Sequence, residues 1–466
     1  MALGAVVAAF AVYLALARSM PDLGPWHGAW SEPEVGATDF AQYLADEDAV
    51  FRRLETAVAA LPPAERGGAF HRYTAGSRTD PFSAPVNWNR TFEWAPEQAR
   101  GAALLVHGLS DSPYSLRSIA EILRDRGFSV LGLRLPGHGT TPGSLSVTGA
   151  DAWRAAVRAA ARHAASRAGA SGRFVIVGYS MGALLAVDYT VDALAGSGDP
   201  APGGLVLLSP ALQVSAVAAA AKFQRRLARL PGLSKLAWTN INVEYDPFKY
   251  VSFPVRSGEA IYGLTRDVDA KVLALRADGR LAAFPPVLAF QSVVDATIVP
   301  AGVVARLLDR LPSPAESSLV LFDVNRLRTS AVFMRLAPGA FPHALVGAAS
   351  QPYDLTLVTN RDDGTREVVA RRRAPGGAAW DTVDLGVAWP PGVYSMSHIA
   401  LPFPADDPIY GATGDSTGRA LGLGSLVLRG ERQLFAIPMD ELMRLRYNPF
   451  HAYLASRLAA FVDGVK

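Results

Sequence analysis

From residue 100 onward, short apolar runs of strand length alternate with longer segments in which apolar positions recur every three or four residues. Ala102 to Val106, Ser129 to Arg134, Arg173 to Gly178, Gly204 to Leu208, Val287 to Gln291 and Ser318 to Phe322 read as strands. Between them, Leu116 to Arg126, Ala150 to Ala168, Met181 to Leu194 and Val299 to Leu311 read as helices. Strands that are apolar throughout and alternate with helices predict an α/β fold, a mostly parallel sheet covered by helices on both faces. Arg90 to Trp94 is expected to add an antiparallel edge strand.

Two stretches break the alternation. Residues 212–283 read as a helical block between two sheet strands. Residues 326–394 read as a small β excursion, a hairpin of Asp354 to Thr359 and Arg366 to Arg371 with Asp363-Gly364 in its turn. Ahead of the alternating region, residues 21–89 form an N-terminal extension expected to be helical, notably Asp39 to Leu61. Residues 2–17 are apolar without interruption. That run is short for a membrane-spanning helix and slightly long for a signal segment. An anchor or exported signal is favoured over a buried first helix, and Arg18 alone does not orient it.

Composition narrows this only a little. The 466 residues are 50% hydrophobic and 19% charged, enough to bury a large core and too apolar for a disordered chain. A net charge of +3 gives no nucleic-acid footprint. Cysteine is absent, which removes disulfides, thiolate metal sites and cysteine nucleophiles. No His-Glu-x-x-His, no carboxylate cluster with ligand spacing, no Walker lysine and no dinucleotide glycine fingerprint is found, so neither metal nor cofactor is expected.

The chemistry is concentrated at Gly178-Tyr179-Ser180-Met181-Gly182, directly after one expected strand and before an apolar helix. A serine hydroxyl becomes a nucleophile only when exposed and bonded to a base, and a tight strand-to-helix turn supplies the exposure. Gly178 and Gly182 relieve crowding where strand and helix meet, and the helix N-terminus favours a developing oxyanion. At the end of another strand, Leu104-Leu105-Val106-His107-Gly108-Leu109 turns the backbone under the nucleophile, so that the amides of Leu109 and Met181 are expected to share one oxygen. The His107 and His138 side chains are expected to be packed loop supports.

His-Gly-Leu-Ser-Asp-Ser-Pro (107–113), Leu-Pro-Gly-His-Gly-Thr-Thr-Pro (135–142) and Gly-Tyr-Ser-Met-Gly together resemble α/β-hydrolases, in particular the branch of bacterial carboxylesterases and monoacylglycerol lipases, the serine aminopeptidase-like group. The resemblance spans roughly 90–325 and the C-terminal part. It implies that the acid of a Ser-His-Asp triad is Asp295, in Ala289 to Pro300, and that the histidine follows it. Only His343, His398 and His451 do so. His398, where a strand-like run gives way to a Pro-rich loop, is the first choice and His343 the second. The distance from Asp295 to His398 exceeds the usual spacing, and the 326–394 insertion accounts for it. The resemblance also makes the 212–283 block a lid. There Lys222, Arg225, Arg226 and Arg229 share one helical face and Phe223, Leu227 and Leu230 another, more simply a solvated basic face than a lipid contact. The implied activity is hydrolysis of small-molecule or lipid carboxylic esters by a membrane-associated enzyme. Amidase or iminopeptidase activity, lysophospholipase activity and a silent membrane-anchored binding protein stay open, as does the oligomeric state.

Overall fold

The computed structural model describes residues 2–33, 39–62, 65, 67–214, 221–334, 341–413, 422–425 and 439–465. Ten strands form one sheet: β1 (Phe92–Trp94), β2 (Ala102–Val106), β3 (Ser129–Leu133), β4 (Phe174–Tyr179), β5 (Gly204–Leu208), β6 (Val287–Ser292), β7 (Ser318–Phe322), β8 (Asp354–Asn360), β9 (Glu367–Arg373) and β10 (Asp381–Ala388). Their spatial order is β1-β3-β2-β4-β5-β6-β7-β8-β9-β10. The strands from β3 to β8 pair in parallel, and β1 is antiparallel to β3, as the sequence pattern predicts.

Alternate side chains of the buried strands feed two cores. Leu104, Val106 and Ile176 pack with Trp153, Leu184 and Leu264 from the helices Ala150–Ser166, Met181–Leu194 and Val255–Ala277. Ala103, Leu105 and Val177 pack on the other face with Ile119 and Leu458, from Arg117–Asp125 and His451–Gly464. With both faces covered, a strand has no reason to alternate polar and apolar residues, hence the continuous apolar runs.

The expected hairpin is present, and it joins the main sheet. β8 pairs in parallel with β7, β9 is antiparallel to β8, and β10 is antiparallel to β9, so three strands extend the main sheet. The third strand carries Asp381, Asp384 and Gly386 on an open edge and is mostly exposed, so it lacks the apolar run that marks the others. Residues 212–283 are not wholly helical either. They include the ladder Trp238–Asn240 with Phe253–Pro254 beside the long helix Val255–Ala277. The expected helix 299–311 is shortened to Gly302–Arg306 and a 3-10 turn at Leu308–Arg310.

Within 21–89, the one α-helix among the described residues is Phe40–Ala59, with the Asp39 carboxylate accepting from Ala41 and Gln42 at its start. The rest is strap and turn. Glu32 accepts from Arg134 (2.5 Å), from the Gly137 amide (3.0 Å) and from the Thr140 hydroxyl (3.1 Å), which ties the strap to the loop after β3. The apolar N-terminus forms the helix Ala2–Ser19. No helix among the described residues is long and apolar enough to cross a membrane.

Candidate active site

β4 ends at Tyr179 and the helix starts at Met181, which leaves Ser180 alone to make the turn. Its φ of 55° and ψ of −114° are strained for a residue with a side chain. The surroundings hold it there: its amide donates to the Leu208 carbonyl (2.8 Å), and its carbonyl accepts from Ala183, Leu184 and Ala211. Glycine is required on either side. A Cβ at Gly178 would lie 2.4 Å from Ala183 Cα, and one at Gly182 would lie 1.9 Å from the Val106 carbonyl oxygen.

The His398 Nε2 is 2.9 Å from Ser180 Oγ, and its Nδ1 is 2.6 Å from Asp295 Oδ2. All three side chains are nearly buried. Asp295 follows β6 in a tight turn where its other oxygen accepts the amides of Thr297 (2.8 Å) and Ile298 (3.1 Å). Burial pushes the Asp295 carboxyl up. The His398 charge and hydrogen bond, with the two amides, outweigh that and hold it below the usual carboxylate range. The same carboxylate thus shapes its turn and faces the imidazole.

His398 reaches this position because β10 runs in the same direction as β8, so the chain leaves it at the carboxyl edge of the sheet. Residues 389–397 then cross the strand ends back toward β6. The Asn325 amide donates to the Tyr394 carbonyl (2.9 Å), its side chain to Val393 (3.0 Å), and Ser292 Oγ to Met396 (2.8 Å). Tyr179 closes the loop by donating its hydroxyl to the His398 carbonyl (3.2 Å).

The other histidines have different surroundings. His343 is exposed at the start of the short helix His343–Gly347. His451 is half-buried with Nε2 3.3 Å from Ser118 Oγ, and loss of hydration lowers its pKa to about 4. His107 accepts the Leu135 amide at Nε2 (3.0 Å) and faces the Gly108 carbonyl through Nδ1 (2.8 Å), which fixes a neutral imidazole with its proton on Nδ1. Burial lowers its pKa to about 3. It joins the loops after β2 and β3. His138, also buried, is depressed by burial and by His107.

Ser180 and His398 open into a cavity of about 390 Å³. Leu109, Ala211, Val251, Phe253, Ile261 and Ile298 make its apolar wall, while Asp111, Asp246, Lys249, Arg444 and Arg446 bring charge to the rest. Leu109 lies at the cavity and Met181 at the first position of its helix, and neither amide donates to a protein acceptor among the described residues.

Residues 97–299 match the family described as serine aminopeptidase, S33. The sheet and its covering helices have the α/β-hydrolase fold. The hydrolase domain is similar in fold to a chain from LipS and LipT, two metagenome-derived lipolytic enzymes (22% identity, 51% of this chain and 88% of that chain, TM-score 0.40). It is also similar to a monoacylglycerol lipase of Paleococcus ferrophilus (22%, 50% and 88%, TM-score 0.37) and to a soluble variant of monoglyceride lipase from Saccharomyces cerevisiae (17%, 50% and 82%, TM-score 0.39). No curated protein matches the chain.

The insertion at residues 212–283 supplies contacts that the sequence does not announce. Tyr250 donates its amide to the Ser110 carbonyl (2.8 Å), and Lys249 Nζ lies 3.3 Å from Asp111 Oδ1. The Tyr250 hydroxyl donates to the Gly137 carbonyl (3.0 Å) and accepts the Thr140 amide (2.7 Å). Lys249 and Tyr250 carry no motif, and only the folded insertion brings them against Asp111 and Ser110. Of the cationic face expected in the cap, Arg225 pairs with Glu259 (2.8 Å), while Arg226 and Arg229 are exposed. The side chains of Lys222 and Phe223 lie outside the described residues. Among the described residues no group of histidine and carboxylate side chains could hold a metal ion.

Proposed function

We propose that the chain is a serine hydrolase of carboxylic esters with an apolar acyl group. The observation that carries this is the continuous line Ser180 Oγ, His398 Nε2, His398 Nδ1, Asp295 Oδ2, with steps of 2.9 Å and 2.6 Å, opening into a largely apolar cavity. With Nδ1–H donating a hydrogen bond to the Asp295 carboxylate, His398 keeps a lone pair on Nε2 toward the Ser180 hydroxyl. Ser180 Oγ attacks the carbonyl carbon, and its proton passes to Nε2. The imidazolium so formed faces the Asp295 carboxylate. The amides of Leu109 and Met181 are the donors for the oxyanion. Collapse breaks the bond to the alcohol, which leaves with the proton from Nε2, and water repeats the sequence to free the acid. An apolar wall suits an apolar acyl chain.

The test is reaction of the purified chain with a fluorophosphonate, together with hydrolysis of a short p-nitrophenyl ester. Ser180→Ala and His398→Ala should lose both, and His343→Ala should keep both. Retention of ester hydrolysis in Ser180→Ala would remove this reading. Turnover of aminoacyl amides at a higher kcat/KM than esters of the same acyl group would shift it to amide hydrolysis.

A further inference from the structure

Residues 11–20 form a helical segment that is apolar on two sides but packed on one. Tyr13, Leu14, Ala17 and Met20 face inward onto Leu227, Ala228, Leu233 and Leu236 of the cap, with Ala17 and Leu233 fully buried. Lys235 fastens the contact by donating to the Met20 carbonyl (2.8 Å) and pairing with Asp22 (2.8 Å). The opposite side carries Ala11, Val12, Ala15 and Leu16, all exposed. A surface helix ordinarily shows water its polar side. Here the outward side is as apolar as the inward one, and exposed Leu23 and Leu230 stand close in sequence to the packed contact. Charge accompanies it. Arg18, Arg226 and Arg229 are exposed, and none has a carboxylate within 4 Å among the described residues.

We infer that residues 11–23 and 226–236 form one composite docking surface for a lipid bilayer with anionic headgroups. An apolar helix side flanked by unpaired arginines fits an interface in which acyl chains meet anionic phosphates. The helix lies along that interface, and the cap takes part in the contact. The same cap carries the pocket wall: Gln224 donates to the Trp238 carbonyl (3.5 Å), and Asn240, Asn242 and Phe253 line the cavity. His27, on the strap leaving the helix, bonds Ser252 (3.0 Å) and meets the Trp238 ring edge-on. The inference goes beyond the esterase reading and rests on it in one respect. A docked cap sets the cavity beside the lipid, so the favoured substrate is an ester that resides in the bilayer.

The experiment is co-sedimentation of the full chain with vesicles of phosphatidylcholine alone or with added phosphatidylglycerol. Hydrolysis of a soluble short-chain ester and of a long-chain ester embedded in the vesicles is measured alongside. The variants are Val12→Asp/Leu16→Asp and Arg226→Glu/Arg229→Glu, all at exposed positions away from the cavity. Both pairs should weaken binding to the anionic vesicles at least about tenfold and reduce hydrolysis of the embedded ester in parallel. Hydrolysis of the soluble ester should stay within about twofold of the unaltered chain, which also shows that the variants fold. Binding that neither pair changes would overturn the proposal. So would a self-associating chain that ignores vesicles and turns monomeric with Val12→Asp/Leu16→Asp, since a second copy would then own the surface. Vesicle binding that follows these expectations in a chain without activity on either ester would sink the esterase reading and leave the docking surface standing.

Discussion

Lys249 Nζ is 3.3 Å from Asp111 Oδ1, two residues beyond Leu109. Asp111 packs so closely that a Cβ on Gly108 would lie 2.7 Å from its Oδ2 and 3.2 Å from Ser180 Cβ. Burial pushes the Asp111 carboxyl up, and Lys249 draws it back down. A negative charge beside a developing oxyanion opposes catalysis unless a cation offsets it. Lys249→Met should therefore lower kcat by about tenfold, roughly the 1.4 kcal/mol of one lost charge contact, with KM little changed. Lys249→Met/Asp111→Asn should recover much of the loss. A double variant as impaired as the single one would assign Lys249 to cap packing instead.

Asp295→Asn preserves the shape of the turn but replaces the acceptor for the His398 Nδ1 proton. In a Ser-His-Asp arrangement that change costs on the order of 10⁴ in kcat. Steady-state kinetics on a p-nitrophenyl ester should show a loss of that order, with a circular dichroism spectrum like that of the unaltered chain. A loss below about tenfold would mean that another acceptor orients the imidazole.

Gly182→Ala places a methyl group 1.9 Å from the Val106 carbonyl oxygen, where both neighbours are backbone. Neither β2 nor the helix after Ser180 can yield without moving the sheet. A destabilisation of about 3 kcal/mol or more is expected, read as a fall in the denaturant midpoint. Loss of fluorophosphonate labelling should accompany it even where the variant is folded, because Ser180 turns with the helix.

Desolvated, neutral histidines make the fold sensitive to acid. His451 titrates near 4 and His107 near 3, whereas the unfolded chain takes up a proton at each near 6.5. Between about pH 6.5 and pH 4 the unfolded state therefore binds more protons than the native state. Stability falls as pH falls, by up to about 1.4 kcal/mol per pH unit for each histidine. Urea midpoints at pH 7.5 and 5.0 should show the decline, and His451→Gln should make it shallower. An unchanged slope in that variant would place the acid sensitivity elsewhere.

Glu32 is the carboxylate partner of Arg134, whose guanidinium is buried and also donates to the His138 carbonyl (2.7 Å). Glu32→Ala would leave a buried cation short of its counter-charge. It should cost about 3–5 kcal/mol in thermal or urea unfolding, far more than an exposed ion pair. A change under about 1 kcal/mol would mean that water enters freely beneath the strap.

The parallel centre of the sheet was legible because strands buried on both faces leave apolar runs, and Ser180 because its turn needs glycines at fixed offsets. His398 was legible only through chain order after Asp295 and its loop setting. β10 was missed because an edge strand exposed on its open side keeps aspartates and a glycine that no core excludes. Glu32, Lys249 and Tyr250 were invisible for another reason. Each acts through a partner distant in the chain, and a single sequence holds no record of which loop will lie against which.

The strand directions at the far edge impose a parity rule on this part of the chain. A serine at one rim and a histidine delivered from the last strand meet only if an even number of antiparallel strands follows β8, since each antiparallel strand reverses the rim at which the chain emerges. Sequence between Asp295 and His398 is therefore free to grow or shrink by whole hairpins, such as β9 with β10, and not by single strands. Chains built this way should differ in that interval by discrete steps of about one hairpin, and a shortened design should excise residues 361–388 as a unit or leave them alone.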